Sequence, residues 1–312
     1  MSDPQVVKCV TRYAGLTPRR DLRNHTLIFT HIPKTGGTTL DYILRDVAKA
    51  QNIPVGRAMG TIYGQFHGVG KEDAIKDADR WPDKAFATRC YMSGHVPFGL
   101  HKRMQHPYFY ITLLRDPVKR LLSQYRFGIH RNGWTASMPI AKAIEQGLIA
   151  DDLQTRQIAG QADRSAPCTA ETLRTAVGHL RSEYAVVGVS ERFDEMLKTL
   201  ITLLGWPDIA YGNRQIGAGA ASAEMVEESH AAAQRFFAHD IELYAQARQL
   251  AEENVTRLFD GSPGNSQRQA QVITSVPGLQ IAGKNTACVL AFDFDHQVAP
   301  ALRQSGSEIK FI

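Results

Sequence analysis

The chain has 312 residues, 43% of them hydrophobic, and a formal net charge of +5. That is the composition of an ordinary globular protein with a real core, long enough for one large domain or two small ones. The mild basicity suits an anionic ligand or substrate. It falls short of a case for nucleic acid, because no long Lys/Arg run accompanies it. No stretch approaches the ~18 continuous apolar residues of a membrane span, and "MSDPQVVKCVTRY" lacks the apolar core of a signal peptide. The four cysteines, Cys9, Cys90, Cys168 and Cys288, are scattered, with no CxxC pair. The expectation is a reduced, cytoplasmic protein with no structural zinc site.

Residues 1–24 read as a polar N-terminal arm. Thr26–Thr30 is a short buried strand, apolar and β-branched. The turn "HIPKTGG" follows, and a helix from about Thr38 to Lys49 presents Leu40, Ile43, Leu44 and Val47 at helical spacing. Residues 51–85 form a long excursion with little regular structure. A short strand, Cys90–Ser93, leads into "GHVPFG". Tyr108–Leu114 is a second buried strand, and Asp116 with Pro117 reads as the N-cap and first position of the next helix. Tyr184–Val189 is a third buried strand, with a helix through "ERFDEMLKTLITLLGW". Further helices are expected at 139–148, 170–181, 222–237 and 239–258. Strands alternating with helices predict an α/β fold: a P-loop-like central parallel sheet flanked by helices, spanning residues 25–259. "DGSPGNSQRQ", 260–269, reads as a linker, and residues 260–312 as an extension with a few short strands.

The loop after the first strand is an anion cradle. Free N–H groups of the first helical turn point at whatever sits there, and the helix dipole favours negative charge. Gly36 and Gly37 allow close backbone approach, Thr38 and Thr39 add hydroxyls, and Lys34 adds a positive charge. In the common NTPase motif, GxxxxGK[ST], the lysine follows the last glycine; here it precedes both. A second anion site is offered by Arg115, at the carboxyl end of the strand Tyr108–Leu114, and by Ser123 in the following helix. Alone, that Arg-Asp-Pro junction is equally well read as a helix cap with an ion pair.

Together, "HIPKTGGTT" and "LLRDPVKRLLSQY" resemble the two cofactor-binding signatures of sulfotransferases that use 3′-phosphoadenosine 5′-phosphosulfate (PAPS). The resemblance is nearest to the carbohydrate branch that includes heparan sulfate 2-O-sulfotransferase, and "VVGVSERFDEMLKTL" resembles a further segment of that branch. It implies that Lys34, Thr35, Gly36, Gly37, Thr38 and Thr39 hold the 5′-phosphosulfate, with Lys34 near the bridging oxygen. It implies too that Arg115 and Ser123 hold the 3′-phosphate. The implied reaction is in-line attack by an acceptor hydroxyl, on a carbohydrate or a small metabolite, with no metal. In "YMSGHVPFGLH", His95 aligns with the second histidine of a His-Gly-His segment whose histidines are thought to take the acceptor's proton. Ser93 replaces the first.

His67, in the 51–85 excursion, is the reserve base. Gln154 and Arg156 in "DDLQTRQIAG" are either contacts to substrate or cofactor, or parts of a solvated loop. His95, His101 and His106 have no metal-ligand spacing. "DFD", 293–295, reads as alternating strand residues. Two other functions stay open: a non-catalytic nucleotide-binding module that kept the pocket, and a P-loop kinase. The latter would need a lysine after the glycines and an acid for magnesium.

Overall fold

A computed structural model describes residues 7–58, 86–163, 165–212, 221–262, 271–273 and 288–290. The first strands are β1 (Val7–Val10), β2 (Thr17–Pro18), β3 (Thr26–Thr30), β4 (Val55–Ala58), β5 (Tyr91–Gly94), β6 (Tyr108–Leu114) and β7 (Tyr184–Val189). The remaining strands are β8 (Asp208–Gly212), β9 (Phe259–Asp260), β10 (Gln271–Ile273) and β11 (Cys288–Leu290). The helices are α1 (Gly37–Ala50), α2 (Pro117–Arg131), α3 (Ile140–Glu145), α4 (Leu153–Ala159), α5 (Ala170–Ser182), α6 (Phe193–Leu204), α7 (Ala223–Phe236) and α8 (Ala238–Leu258).

The central sheet has five strands in the order β4-β5-β3-β6-β7, and every pairing is parallel. Its three strands read from apolar runs occupy the middle and one flank, as expected of strands buried on both faces. Side chains alternate between those faces. Leu27 and Phe29 pack with Leu40, Ile43 and Leu44 of α1 and with Leu197, Leu200 and Ile201 of α6. Ile28 faces the other way, into a layer with Ile158 of α4, Leu180 of α5 and Leu243 and Leu250 of α8. A third cluster joins α2, α3 and α7 through Leu121, Tyr125, Ile140 and Ala233. The layered α/β architecture predicted from the alternation of elements is the observed one.

The register aligns the strand ends. Thr30 lies beside Gly94 of β5 and Thr112 of β6, and Leu114 beside Val189 of β7. The loops that follow β3, β5, β6 and β7 therefore leave one edge of the sheet side by side, the edge where open α/β sheets bind ligands.

Several elements differ from expectation. The strand placed at Cys90–Ser93 runs one residue later, and β4 lies within the stretch read as irregular. The segment read as an arm holds β1 and β2; β2 pairs with β9, and β1 joins a four-stranded sheet of order β10-β1-β8-β11. The C-terminal extension supplies β10 and β11 to that sheet, antiparallel to β1 and parallel to β8. His67, residues 293–295 and "EIKFI" lie outside the described residues. Among the described residues, no helix is long and apolar enough to cross a membrane.

Candidate functional site

The loop after β3 has the backbone that its glycines require. Gly36 caps α1 with φ 84°, in the left-handed region that glycine enters without a side-chain clash. Gly37 is needed for space: a Cβ there would lie 2.3 Å from His31 Cδ2. Lys34 also has positive φ, 69°, which is unusual for a residue with a side chain. Thr35 is buried and turns its hydroxyl back to donate to the Ile32 carbonyl at 2.9 Å. That hydroxyl therefore shapes the loop from within. Thr38 and Thr39 stand in the first turn of α1, where no acidic residue opposes an anion.

Arg115 follows β6 and reaches across to this loop. Its guanidinium Nη1 donates to the Lys34 carbonyl at 3.0 Å. The structure thus brings together the two segments that the sequence separates by eighty residues. Burial, then the neighbouring Arg115 guanidinium, pulls the Lys34 ammonium down to about 8. The Lys34 Nζ sits 4.1 Å above the ring centroid of Phe127, a residue of α2. Arg115 is itself lowered by burial. Two cations held close in a half-buried cleft are costly when it is empty, and an anion removes that cost. Asp116 caps α2 as predicted, accepting from the Lys119 N–H at 3.0 Å. Ser123 lies half-buried in α2, two turns on.

His95 leaves the carboxyl end of β5. Its Nδ1 is 2.7 Å from the His31 carbonyl oxygen. A carbonyl can only accept, so Nδ1 carries the proton in the neutral ring and Nε2 is the basic nitrogen. The rings of His31 and His95 meet with centroids 4.5 Å apart, and His31 stacks on Phe29 at 5.2 Å. Ser93 points elsewhere: it is buried, and its hydroxyl donates to Asp41 Oδ1 at 2.5 Å, beside the Tyr91 hydroxyl on the same oxygen at 2.7 Å. The residue that replaces a histidine of the resembling segment is thus tied into the α1–β5 packing.

Two readings of "DDLQTRQIAG" are corrected. This stretch contains α4 and is not a solvated loop. Gln154 is fully buried and grips the Arg115 peptide from both sides, accepting from its N–H at 2.9 Å and donating to its carbonyl at 3.0 Å. Arg156 is buried too, and donates to the carbonyls of Asp151 and Ala166 and to the Asp151 carboxylate. Both are framework residues. A further contributor is Ser190, just beyond β7, whose hydroxyl lies against the Thr35 carbonyl and, at 3.0 Å, the Leu114 carbonyl. It joins the loops after β3 and β6; it lies in the segment "VVGVSERFDEMLKTL" that carries part of the resemblance, though its role there was not read from it.

The three histidines weighed as metal ligands are dispersed. His101 Nδ1 meets the Tyr110 hydroxyl at 3.1 Å, and His106 Nε2 meets the Asn24 carbonyl at 2.7 Å. Among the described residues, one group of metal-ligating side chains does converge: Asp152, Cys168 and His239.

Comparison with known proteins finds sulfotransferases. Heparan-sulfate 6-O-sulfotransferase 3-B of Danio rerio is 29% identical over 120 residues, covering 36% of this chain and 28% of that protein. Heparan-sulfate 6-O-sulfotransferase 2 of Gallus gallus is 28% identical over 124 residues, covering 36% of this chain and 30% of that protein. The chain thus spans about three tenths of the length of these curated relatives. Among solved structures, a sulfotransferase from Alicyclobacillus acidocaldarius superposes with a TM-score of 0.40 at 16% identity, covering 73% of this chain and 96% of that one. A mouse sulfotransferase complexed with PAP superposes with a TM-score of 0.32 at 13% identity, covering 72% and 74%. The decisive match is to a family model described as "Sulfotransferase family", which aligns with residues 21–250, from before β3 to within α8. By that match the chain belongs to the sulfotransferase family.

Proposed function

We propose that this chain moves a sulfuryl group from PAPS to an acceptor hydroxyl at the carboxyl edge of the central sheet. The observation that carries the reading is the Arg115 guanidinium seated on the Lys34 carbonyl, which merges two anion-binding loops into one cleft. Backbone N–H groups from Gly36 to Thr39 and the Lys34 ammonium hold the 5′-phosphosulfate, while Arg115 and Ser123 hold the 3′-phosphate. The acceptor oxygen attacks sulfur in line, and the S–O bond to the adenosine bisphosphate breaks. Lys34 offsets the charge that grows on the leaving oxygen. His95 Nε2 takes the acceptor's proton, and its Nδ1–H stays fixed on the His31 carbonyl throughout.

The names of the relatives support a heparan-type carbohydrate as acceptor. The relatives are named as 6-O-sulfotransferases, so the 6-O position stands beside the 2-O position as the candidate hydroxyl. A second reading, a pocket that binds nucleotide without turnover, draws on Ser93, which is occupied by Asp41.

Two measurements test the proposal. Adenosine 3′,5′-bisphosphate should raise the melting temperature, and ATP with magnesium should not. Labelled sulfate from PAPS should then pass to desulfated heparan oligosaccharides or to a member of a small-hydroxyl panel. His95→Ala should lose about 10²–10⁴-fold in kcat with bisphosphate affinity retained. Bisphosphate binding without transfer to any acceptor would favour the second reading, and a preference for ATP–magnesium would sink both.

A further inference from the structure

Away from the anion cleft, three metal-ligating side chains arrive from three separate segments. Asp152 immediately precedes α4, Cys168 immediately precedes Thr169 at the start of α5, and His239 is the second residue of α8. One ligand atom from each lies within 4.8 Å of the other two. The tightest approach, His239 Nδ1 to Asp152 Oδ2, is 2.7 Å. The second carboxylate oxygen of Asp152 accepts the Asp240 N–H at 2.9 Å, the kind of outer contact that orients a ligating carboxylate. Asp152 holds φ 40° and ψ 38°, a left-handed conformation costly for a non-glycine residue and kept where its neighbours over-determine it. Its side chain is 7% exposed and that of His239 is 26% exposed, so the group is recessed yet reachable from solvent.

We propose that Asp152 Oδ2, Cys168 Sγ and His239 Nδ1 bind one divalent ion of the zinc class, with water in the fourth position. A thiolate, an imidazole and a carboxylate form a mixed N/O/S set that suits zinc and does not suit the all-oxygen demands of magnesium or calcium. Binding expels the Cys168 thiol proton to solvent and moves the neutral imidazole proton from Nδ1 to Nε2. The Asp152–His239 contact, now a hydrogen bond, opens slightly as the ion takes the proton's place. The carboxylates of Asp152, Asp240 and Asp151 near Cys168 attract a cation, against the opposing charge of Arg156. The site lies apart from the sulfuryl-transfer steps, yet it would staple the starts of α4, α5 and α8. Through Asp240 and Gln154 it is linked by hydrogen bonds to Arg115.

The test uses the untagged full chain, reduced and stripped with chelator. Zinc titrated against a chromophoric chelator should bind at about one equivalent per chain, and cobalt in its place should give a thiolate-to-metal charge-transfer band. Cys168→Ser should abolish that band, His239→Ala should weaken zinc binding at least about a hundredfold, and Cys90→Ala should change neither. Zinc should also slow alkylation of Cys168 in the unmutated chain, read by peptide mass mapping, a readout that needs no variant to fold. Absence of stoichiometric zinc binding, a thiolate band that survives Cys168→Ser, or alkylation of Cys168 indifferent to zinc would each overturn the site.

Discussion

At the scale of single residues, the two glycines of the cradle do different work, and substitution separates them. A Cβ at Gly36 would make only ordinary contact, 3.9 Å from Leu113 Cδ2, but the backbone is left-handed, so Gly36→Ala should cost about 1–2 kcal/mol of stability. Gly37 has ordinary space only because it lacks a Cβ. In Gly37→Ala the new methyl would meet the His31 ring at 2.3 Å, and that ring packs on His95. Thermal melts and kcat compared for the pair should show Gly36→Ala mainly lowering stability and Gly37→Ala lowering turnover by at least about tenfold. Lys34 gives a pH signature. A lysine in the unfolded chain keeps its proton to about 10.5, and in the folded chain Lys34 loses it near 8, so stability rises as pH climbs from about 8 to about 10.5. Lys34→Met should remove that rise and stabilise the protein near neutral pH by roughly 1–2 kcal/mol, after allowance for solvent screening. Anion binding restores the charge. Affinity for adenosine 3′,5′-bisphosphate should therefore be level below about pH 8 and fall toward about tenfold per pH unit above it. Calorimetry across that range, with Lys34→Met as the flat and weaker control, checks both the pKa and the assignment; a wild-type profile with no inflection would contradict them.

At the scale of elements, α4 decides how firmly Arg115 is aimed. Its opening N–H groups are capped from afar: the Asp240 carboxylate of α8 accepts from Thr155 at 2.8 Å and from Gln154 at 3.3 Å. Arg120 of α2 stands 3.7 Å from the same carboxylate, and both side chains are fully buried. Burial raises the Asp240 carboxyl while Arg120 and the Thr155 donors oppose that rise. Gln154→Ala would strip two buried hydrogen bonds from the Arg115 peptide and should cost about 2–3 kcal/mol. The decisive readout is selectivity: if Arg115 holds the 3′-phosphate as proposed, affinity for adenosine 3′,5′-bisphosphate should fall toward that for adenosine 5′-phosphate. Equal losses for both nucleotides would make Gln154 a stability residue only. This helix also shows what a sequence conceals. β3, β6 and β7 were legible because central parallel strands must be apolar along their whole length. Lys34, the two glycines and Arg115 were legible because their chemistry is concentrated in short loops at strand ends. α4 was not: Gln154, Thr155, Arg156 and Gln157 are all buried, satisfied by polar partners instead of apolar ones, so no helical stripe appears. Its cap comes from Asp240, with no signal in the neighbouring residues. The contacts of Ser190 and Phe127 escaped notice for the same reason, since each acts through a partner distant in sequence.

At the scale of the whole molecule, segments from early and late in the chain meet in a second sheet, apart from the central one. β1 lies between β10 and β8, and β11 closes the far side of β8. Val10, Ile209 and Tyr211 project from this sheet into the core layer formed by α1 and α6, while Lys8 pairs with Asp194 of α6 at 3.0 Å. β1 and β8 thus brace that layer, and among the described residues every proposed site residue falls between Lys34 and Ser123, with their supports between His31 and Asp240. Removing residues 263–312 would leave β1 and β8 as a two-stranded ribbon with open edges, held to the main core by its apolar contacts and by the bonds of Lys8 and Tyr211 to Asp194. Such a truncation should lower the melting temperature by several degrees and increase the tendency to associate through the exposed β1 and β8 backbones. Affinity for adenosine 3′,5′-bisphosphate, measured well below the new melting point, should stay within about twofold of the full chain. If the truncated protein were folded by circular dichroism yet had lost bisphosphate binding, the second sheet would have to form part of the site, and the cleft drawn between Lys34 and Arg115 would be incomplete.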